Sequence, residues 1–196
     1  MKTLSEQDLE KNIRIFNALI GSMSEKRQED VKLLMDNMQE QFFLAPASSR
    51  EDFHNCFAGG LLLHSLNVVK NLKKISASLV GSEYDDQTLA FVGLFHDLGK
   101  AGDGVEPYYV YNENEYGRKR GFLYEINKKC QIHSTEDRTL FIFQRFGVSL
   151  NSDEYLALKL SDGQYVEANK IYGMKESKLA LLLHWADRWS CEQERT

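Results

Sequence analysis

The sequence predicts a mainly helical fold that carries one β-hairpin. Three observations lead there. Apolar residues recur at three- and four-residue spacing through most of the chain, side chains suited to helix N-caps stand ahead of those stretches, and one tyrosine- and glycine-rich segment has no helical stripe.

Taken in order, Ser5 is placed to cap a first helix over about 6–20, whose stripe is Leu9, Ile13, Phe16 and Ile20. Val31, Leu34, Met35, Met38 and Phe42 mark a second helix over about 25–42. The segment "LAPASS" breaks the pattern, and a short helix is expected over 49–57. Gly59 and Gly60 open a third long helix with an apolar face of Leu61, Val68, Leu72, Ile75 and Leu79. Asp85 or Asp86 caps the next, which is expected to run through His96 and Asp97 and to stop at Gly99. The stretch "YYVYNENEYGRKRGFLYEIN" reads as a hairpin inserted at about 107–127, with strands near 108–112 and 122–126 and "YGRKRG" at its tip. Helices near 134–146, 152–160 and 176–192 follow, with Ser134, Asn151 and Ser177 as their starts. There is no repeat and no interdomain linker. The expected organisation is an N-terminal helical extension, 1–44, and a main unit, 45–196. The extension either packs on that unit or offers a homodimer surface.

Apolar residues make up 42% of the 196 residues, enough for a sizeable core, and the net charge of −5 comes with no strongly basic tract. Broad electrostatic capture of duplex nucleic acid is therefore not expected, although a local cationic pocket is compatible with these numbers. Cys56, Cys130 and Cys191 are odd in number and widely spaced, which fits a reducing compartment. The start "MKTLSEQDLEKN" lacks an apolar signal core, and no uncharged run approaches the roughly 20 residues that span a bilayer. A soluble, cytoplasmic protein is expected.

The chemistry concentrates in a few polar residues set among apolar ones. His64 lies in "LLLHSL", His96 and Asp97 interrupt the apolar stretch from Ala90 to Leu98, and Asp187 lies in "LLLHWADRWS". Any one buried histidine is more often a hydrogen-bonded core residue than a ligand. Two carboxylates within apolar helices are another matter, because an unpaired buried carboxylate costs several kcal/mol or becomes neutral. One divalent cation satisfies two such acids and two imidazoles together.

These residues resemble a known family. His64, then His96-Asp97, then Asp187 is similar to the H…HD…D signature of the HD superfamily of metal-dependent phosphohydrolases. "HDLGK" is a characteristic form of the central motif, while "GGLLLHSLNV" and "LLLHWADRWS" resemble the helices carrying the first histidine and the last aspartate. The likeness spans residues 45 to 192. A finer one, "APASSREDFHNCFAGGLLLHSLNV", resembles the HD domains of bacterial 3′-to-5′ exoribonucleases and small bacterial and phage HD hydrolases. The small hydrolases also have a tyrosine- and glycine-rich insertion and a segment like "IHSTEDRTLFIFQRFG".

The resemblance implies an all-α HD-domain bundle with the hairpin as an insertion. It implies hydrolysis of a phosphoester in a nucleotide or short oligonucleotide. His64, His96, Asp97 and Asp187 are then the ligands of one divalent ion per chain. Imidazole and carboxylate donors suit Mn, Fe, Co, Ni or Zn, and Mg less well. Such an ion activates a water near neutral pH, with Asp97 orienting it. Lys100 is expected to balance a substrate phosphate rather than being only a solvated lysine. His133 resembles an additional histidine of many HD enzymes; a functional role, as ligand of a second metal, phosphate contact or proton donor, weighs equally with that of a structural helix-start residue. His54 is expected to line the site. Arg118, Lys119 and Arg120 either grip a phosphate backbone or form a solvated tip. In the first case Tyr108, Tyr109, Tyr111, Tyr116 and Tyr124 offer stacking surfaces. His184 reads as a packing residue, and Trp185 and Trp189 as core or interface residues.

One departure stands out. The similar hydrolases often have a "WHMG"-like segment where this chain has "LSDGQY", so a second metal would depend on Asp162. Two other functions compete with hydrolysis. A di-iron oxygenase of HD type needs more histidines than these positions supply, and a nucleotide-binding regulatory module would be expected to have lost ligands that this chain keeps.

Overall fold

Helix α3, Gly60–Leu79, runs through the middle of the molecule with Leu61, Leu62, Val68 and Leu72 fully buried. The computed structural model describes residues 4–164 and 166–195. Helix α1 spans Glu6–Gly21 and α2 spans Glu25–Leu44, each started by a serine, Ser5 or Ser24, whose side chain accepts a backbone N–H. Phe16 of α1 and Phe42 of α2 pack against Phe95, with ring centroids 5.9 and 6.0 Å away. The two N-terminal helices thus share one buried cluster with the rest of the chain. Residues 1–3 of the expected extension lie outside the described residues.

Helix α4, Asp86–Phe95, is capped by Asp85 and lies along α3. Their approach is close at Gly93, where an added Cβ would stand 2.8 Å from a methyl of Val69. Strands β1, Tyr109–Tyr111, and β2, Tyr124–Ile126, pair antiparallel with Tyr109 opposite Ile126. Helix α6 is Thr135–Phe146, α7 is Ser152–Lys159 and α8 is Lys178–Glu194. Ser134, Asn151 and Ser177 cap them as the sequence suggests, Asn151 forming a capping box with Glu154. Helix α8 lies against α3 and α7, which brings the C-terminal end of the chain beside its middle. Among the described residues no helix is long and apolar enough to cross a membrane.

Several expectations need correction. No helix forms over 49–57. Backbone groups there are taken by the hairpin instead: Glu51 N–H donates to Gly121, Ser49 accepts from Tyr124 N–H, and Arg50 bridges Phe122. Helix α4 ends at Phe95, and a 3₁₀ turn follows at Leu98–Lys100. Gly99 sits inside that turn; it is needed for close approach to α6 rather than as a stop. The "YGRKRG" tip is not a bare turn, because Asn114 accepts from the N–H groups of Tyr116 and Gly117 and starts a short helix α5, Glu115–Lys119. A second 3₁₀ segment, Glu167–Tyr172, carried no periodic signal in the sequence. Leu79 is exposed at the end of α3, and Trp185 and Trp189 are exposed on α8, which removes the core alternative for them and leaves the interface one.

Candidate metal centre

Three elements converge on one buried point. The middle of α3 supplies His64, the α4 terminus supplies His96 and Asp97, and α8 supplies Asp187. His64 is fully buried, with Nε2 2.9 Å from Asp187 Oδ1 and 3.7 Å from Asp97 Oδ2. His96 Nε2 stands 3.5 Å from Asp97 Oδ2 and 3.6 Å from Asp187 Oδ1. Donor atoms of His64, His96 and Asp187 all lie within 4.8 Å of one another.

The outer partners fix which nitrogen faces inward. His96 Nδ1 is 3.0 Å from the Gly93 carbonyl, to which its N–H donates, so Nε2 points at the carboxylates. That Nε2 is buried and has no hydrogen-bond partner among the described residues. His64 Nδ1 is 2.8 Å from Glu194 Oε2, and Asn67 donates to the other oxygen of Glu194. This is the outer arrangement that orients metal-bound histidines. Two atoms ligated to one first-row ion at about 2.1 Å each stand roughly 3–3.6 Å apart. The separations around His96 Nε2 match that range, and a cation there would satisfy the orphaned nitrogen. The residues fit a divalent metal.

The charges respond to this crowding. Burial works against the charge on Asp187, but the hydrogen bond to His64 holds its pKa well below the usual carboxylate range. Asp97 is buried too, which works against its charge, but the ammonium of Lys100, 2.6 Å from Oδ2, acting together with His96 and His64 keeps its pKa low. Lys100 is raised in return; burial opposes its charge, and Asp97, Tyr109, Asp187 and Asp162 restore it. Asp162 reaches solvent but is crowded on its inner side. That burial, then the charges of Asp97 and Glu136, push it up to about 7.

No family model, curated protein or solved structure matches this chain. The site therefore stands on its own geometry.

The structure treats the remaining sequence candidates differently. His54 joins the cluster, its ring centroid 4.7 Å from that of His64. Burial, then the charges of Lys100 and His64, lower its pKa to about 3. His133 is exposed just ahead of α6 and makes no hydrogen bond to the cluster among the described residues. The tip cations are engaged locally: Arg118 donates to the Asn112 carbonyl, Lys119 pairs with Glu115, and Arg120 lies over Tyr116. His184 bonds the Ser161 carbonyl, a packing role.

Sequence reasoning missed Glu194 and Cys191. A signal existed, since Asp187, Cys191 and Glu194 stand four and seven positions apart and share a helix face. It also gave Tyr109 no distinct place. Burial pushes the Tyr109 phenol up to about 12, with Lys100 next to it pulling the other way.

A pH dependence follows. Burial lowers the pKa of His64, but hydrogen bonds to Asp187 and Glu194 raise it to about 10. In metal-free protein the charged pair is fully formed below the ordinary histidine pKa and is lost as pH rises through the folded value. A metal must displace the proton on Nε2. Apparent metal affinity should thus rise at least about tenfold per unit between about pH 7 and about pH 9, with matching proton release. Calorimetry in buffers of different protonation enthalpy measures this, and a flat profile would contradict it.

Proposed function

We propose that this chain is a metal-dependent phosphohydrolase of the HD superfamily, cleaving a phosphoester of a nucleotide or short oligonucleotide with an activated water. The observation that carries the reading is the unpartnered Nε2 of His96, aimed at Asp97 and Asp187 beside His64. His64, His96 and Asp187 would hold the ion, with Asp97 as the fourth ligand. A bound divalent ion polarises a phosphoryl oxygen and lowers the pKa of a water.

The chain's own groups do the rest. Asp97 Oδ2 faces both histidines as well as Lys100, so that oxygen would ligate the ion while the other orients the attacking water. Lys100 keeps its positive charge within this low-dielectric pocket and offers it to a phosphate oxygen. Tyr109 of the hairpin lies in the field of Lys100 and would offer a phenol to the substrate. Two groups are available to protonate the leaving oxygen. His133 stands at the start of α6, and Asp162, its pKa pushed up by burial and by the charges of Asp97 and Glu136, lies in the field of Asp97 and Lys100. Arg118, Lys119 and Arg120 contribute to substrate binding only if α5 gives up its local partners.

The test is a panel of nucleoside mono- and triphosphates, cyclic nucleotides and short oligonucleotides with Mn²⁺ or Co²⁺. Turnover of at least one member is expected, with Asp97→Ala at background. Absence of turnover across the panel, or an Asp97→Ala variant as fast as wild type, overturns the proposal. Tight nucleotide binding without cleavage would make it a binding module. Two irons per chain with oxygen consumption would make it an oxygenase.

A further inference from the structure

A thiol stands at the edge of the metal cluster and has no part in the hydrolysis outlined above. Cys191 lies one turn beyond Asp187 on α8, and its Sγ donates to Asp187 Oδ1 at 3.5 Å. On its other side Sγ is 3.7 Å from His54 Nε2. His54 is held there by its loop, whose backbone carbonyl at His54 accepts from the Ser48 hydroxyl at 2.7 Å. Donor atoms of His54, His64 and Cys191 lie within 4.8 Å of one another, as do those of His64, His96 and Asp187.

His64 is common to both groups. Its Nδ1 is committed to Glu194, so one nitrogen, Nε2, is left for a metal. The two groups also differ in character. Imidazole and carboxylate suit borderline and harder ions, whereas a thiolate draws softer ones.

We infer that the centre has two mutually exclusive metal positions, and that His54, His64 and Cys191 form an N₂S set that captures a soft divalent cation such as Cd²⁺ in competition with the harder ion held by His64, His96 and Asp187. The inference rests on reading the cluster as a metal centre. As the metal–sulfur bond forms, the Cys191 proton passes to solvent and no electron is transferred. Three protein donors leave a fourth position for water in a tetrahedral site. Occupancy by the soft ion withdraws His64 from the other position. Cd²⁺ would thereby act as an inhibitor of an Mn²⁺-supported activity.

The experiment uses the full chain, stripped of metal and titrated with Cd²⁺ while the ultraviolet thiolate-to-cadmium charge-transfer band is followed. The band should appear in wild type and in a Cys56→Ser, Cys130→Ser double variant. It should be absent in Cys191→Ser and in Cys191→Ala. His54→Ala should weaken Cd²⁺ binding about tenfold or more. His96→Ala should keep the band. In protein preloaded with Mn²⁺, each Cd²⁺ bound should release one Mn²⁺, read as the free-ion paramagnetic resonance signal. No band in wild type, a band that survives both Cys191 variants, a band lost in His96→Ala, or Cd²⁺ binding without Mn²⁺ release would each overturn the inference. Failure of the hydrolase reading is distinguishable, because absent turnover with Mn²⁺ leaves the cadmium band unaffected.

Discussion

Asp187→Asn is expected to abolish metal binding at working concentrations and to bring hydrolysis to background. The substitution keeps the volume and removes the charge. Its carboxylate faces both imidazoles, as that of Asp97 does, but makes the closer approach to His64, at 2.9 Å, and stands 3.6 Å from His96. An amide oxygen is a poorer ligand, and the loss should exceed the roughly 10- to 100-fold that removal of an outer hydrogen-bond partner costs. The metal-free fold should suffer as well. Removing one member of a buried ion pair leaves the other uncompensated, at about 3 kcal/mol. Glu194 remains to hold His64 Nδ1, so the protein should still fold. Urea unfolding in the presence of a chelator reads the stability change. Repeating it with Mn²⁺ separates the effects: wild type gains stability by mass action and Asp187→Asn does not. If Mn²⁺ raises the midpoint of both proteins equally, the ion is not bound at this cluster.

Much of the architecture was legible because its signals are local. A serine, aspartate or asparagine whose side chain accepts the N–H three residues ahead marks the start of α1, α2, α4, α6, α7 and α8, and apolar spacing carries each helix onward. What failed was decided by partners distant in sequence. Residues 49–57 have enough helical character to suggest a turn of helix, yet their backbone groups bond to residues near 121–124. Gly99 looks like a helix stop until α6 is seen against it. The cluster itself was visible because acids within apolar helices demand compensation. Its outer partners were less visible. Glu194 lies near the chain's exposed, charged end and looks like a solvated glutamate, but α8 packs so closely on α3 that it is buried against His64. Tyr109 was one of five hairpin tyrosines, and only strand register and the fold of the hairpin bring it beside Lys100.

Gly99→Ala should show that the site depends on a backbone contact as much as on its ligands. A Cβ at Gly99 would stand 2.2 Å from the carbonyl oxygen of Thr135 and 3.2 Å from Arg138 Cβ. Neither is the end of a flexible side chain; both belong to the first turn of α6. The same glycine receives Arg138, whose Nε donates to its carbonyl at 2.5 Å, and donates its own N–H to Thr139 at 2.9 Å. Arg138 is fully buried with its guanidinium 3.7 Å from the Tyr108 ring, so the hairpin is tied into this contact. The added methyl must push the Leu98–Lys100 turn away from α6. Overpacking of this kind costs about 3 kcal/mol, and more where backbone must move. Because Asp97 and Lys100 flank the glycine, their 2.6 Å pair should loosen and metal affinity should fall with stability. Gly21→Ala is the matched control. It closes α1, has no neighbour within 4 Å of an added Cβ, and should be neutral or stabilising by roughly 0.5–1 kcal/mol. Thermal unfolding and Mn²⁺ titration of both variants give the comparison. A Gly99→Ala protein as stable as Gly21→Ala would mean that the turn can stand off from α6 without cost, and that the positions of Asp97 and Lys100 are set by something other than this contact.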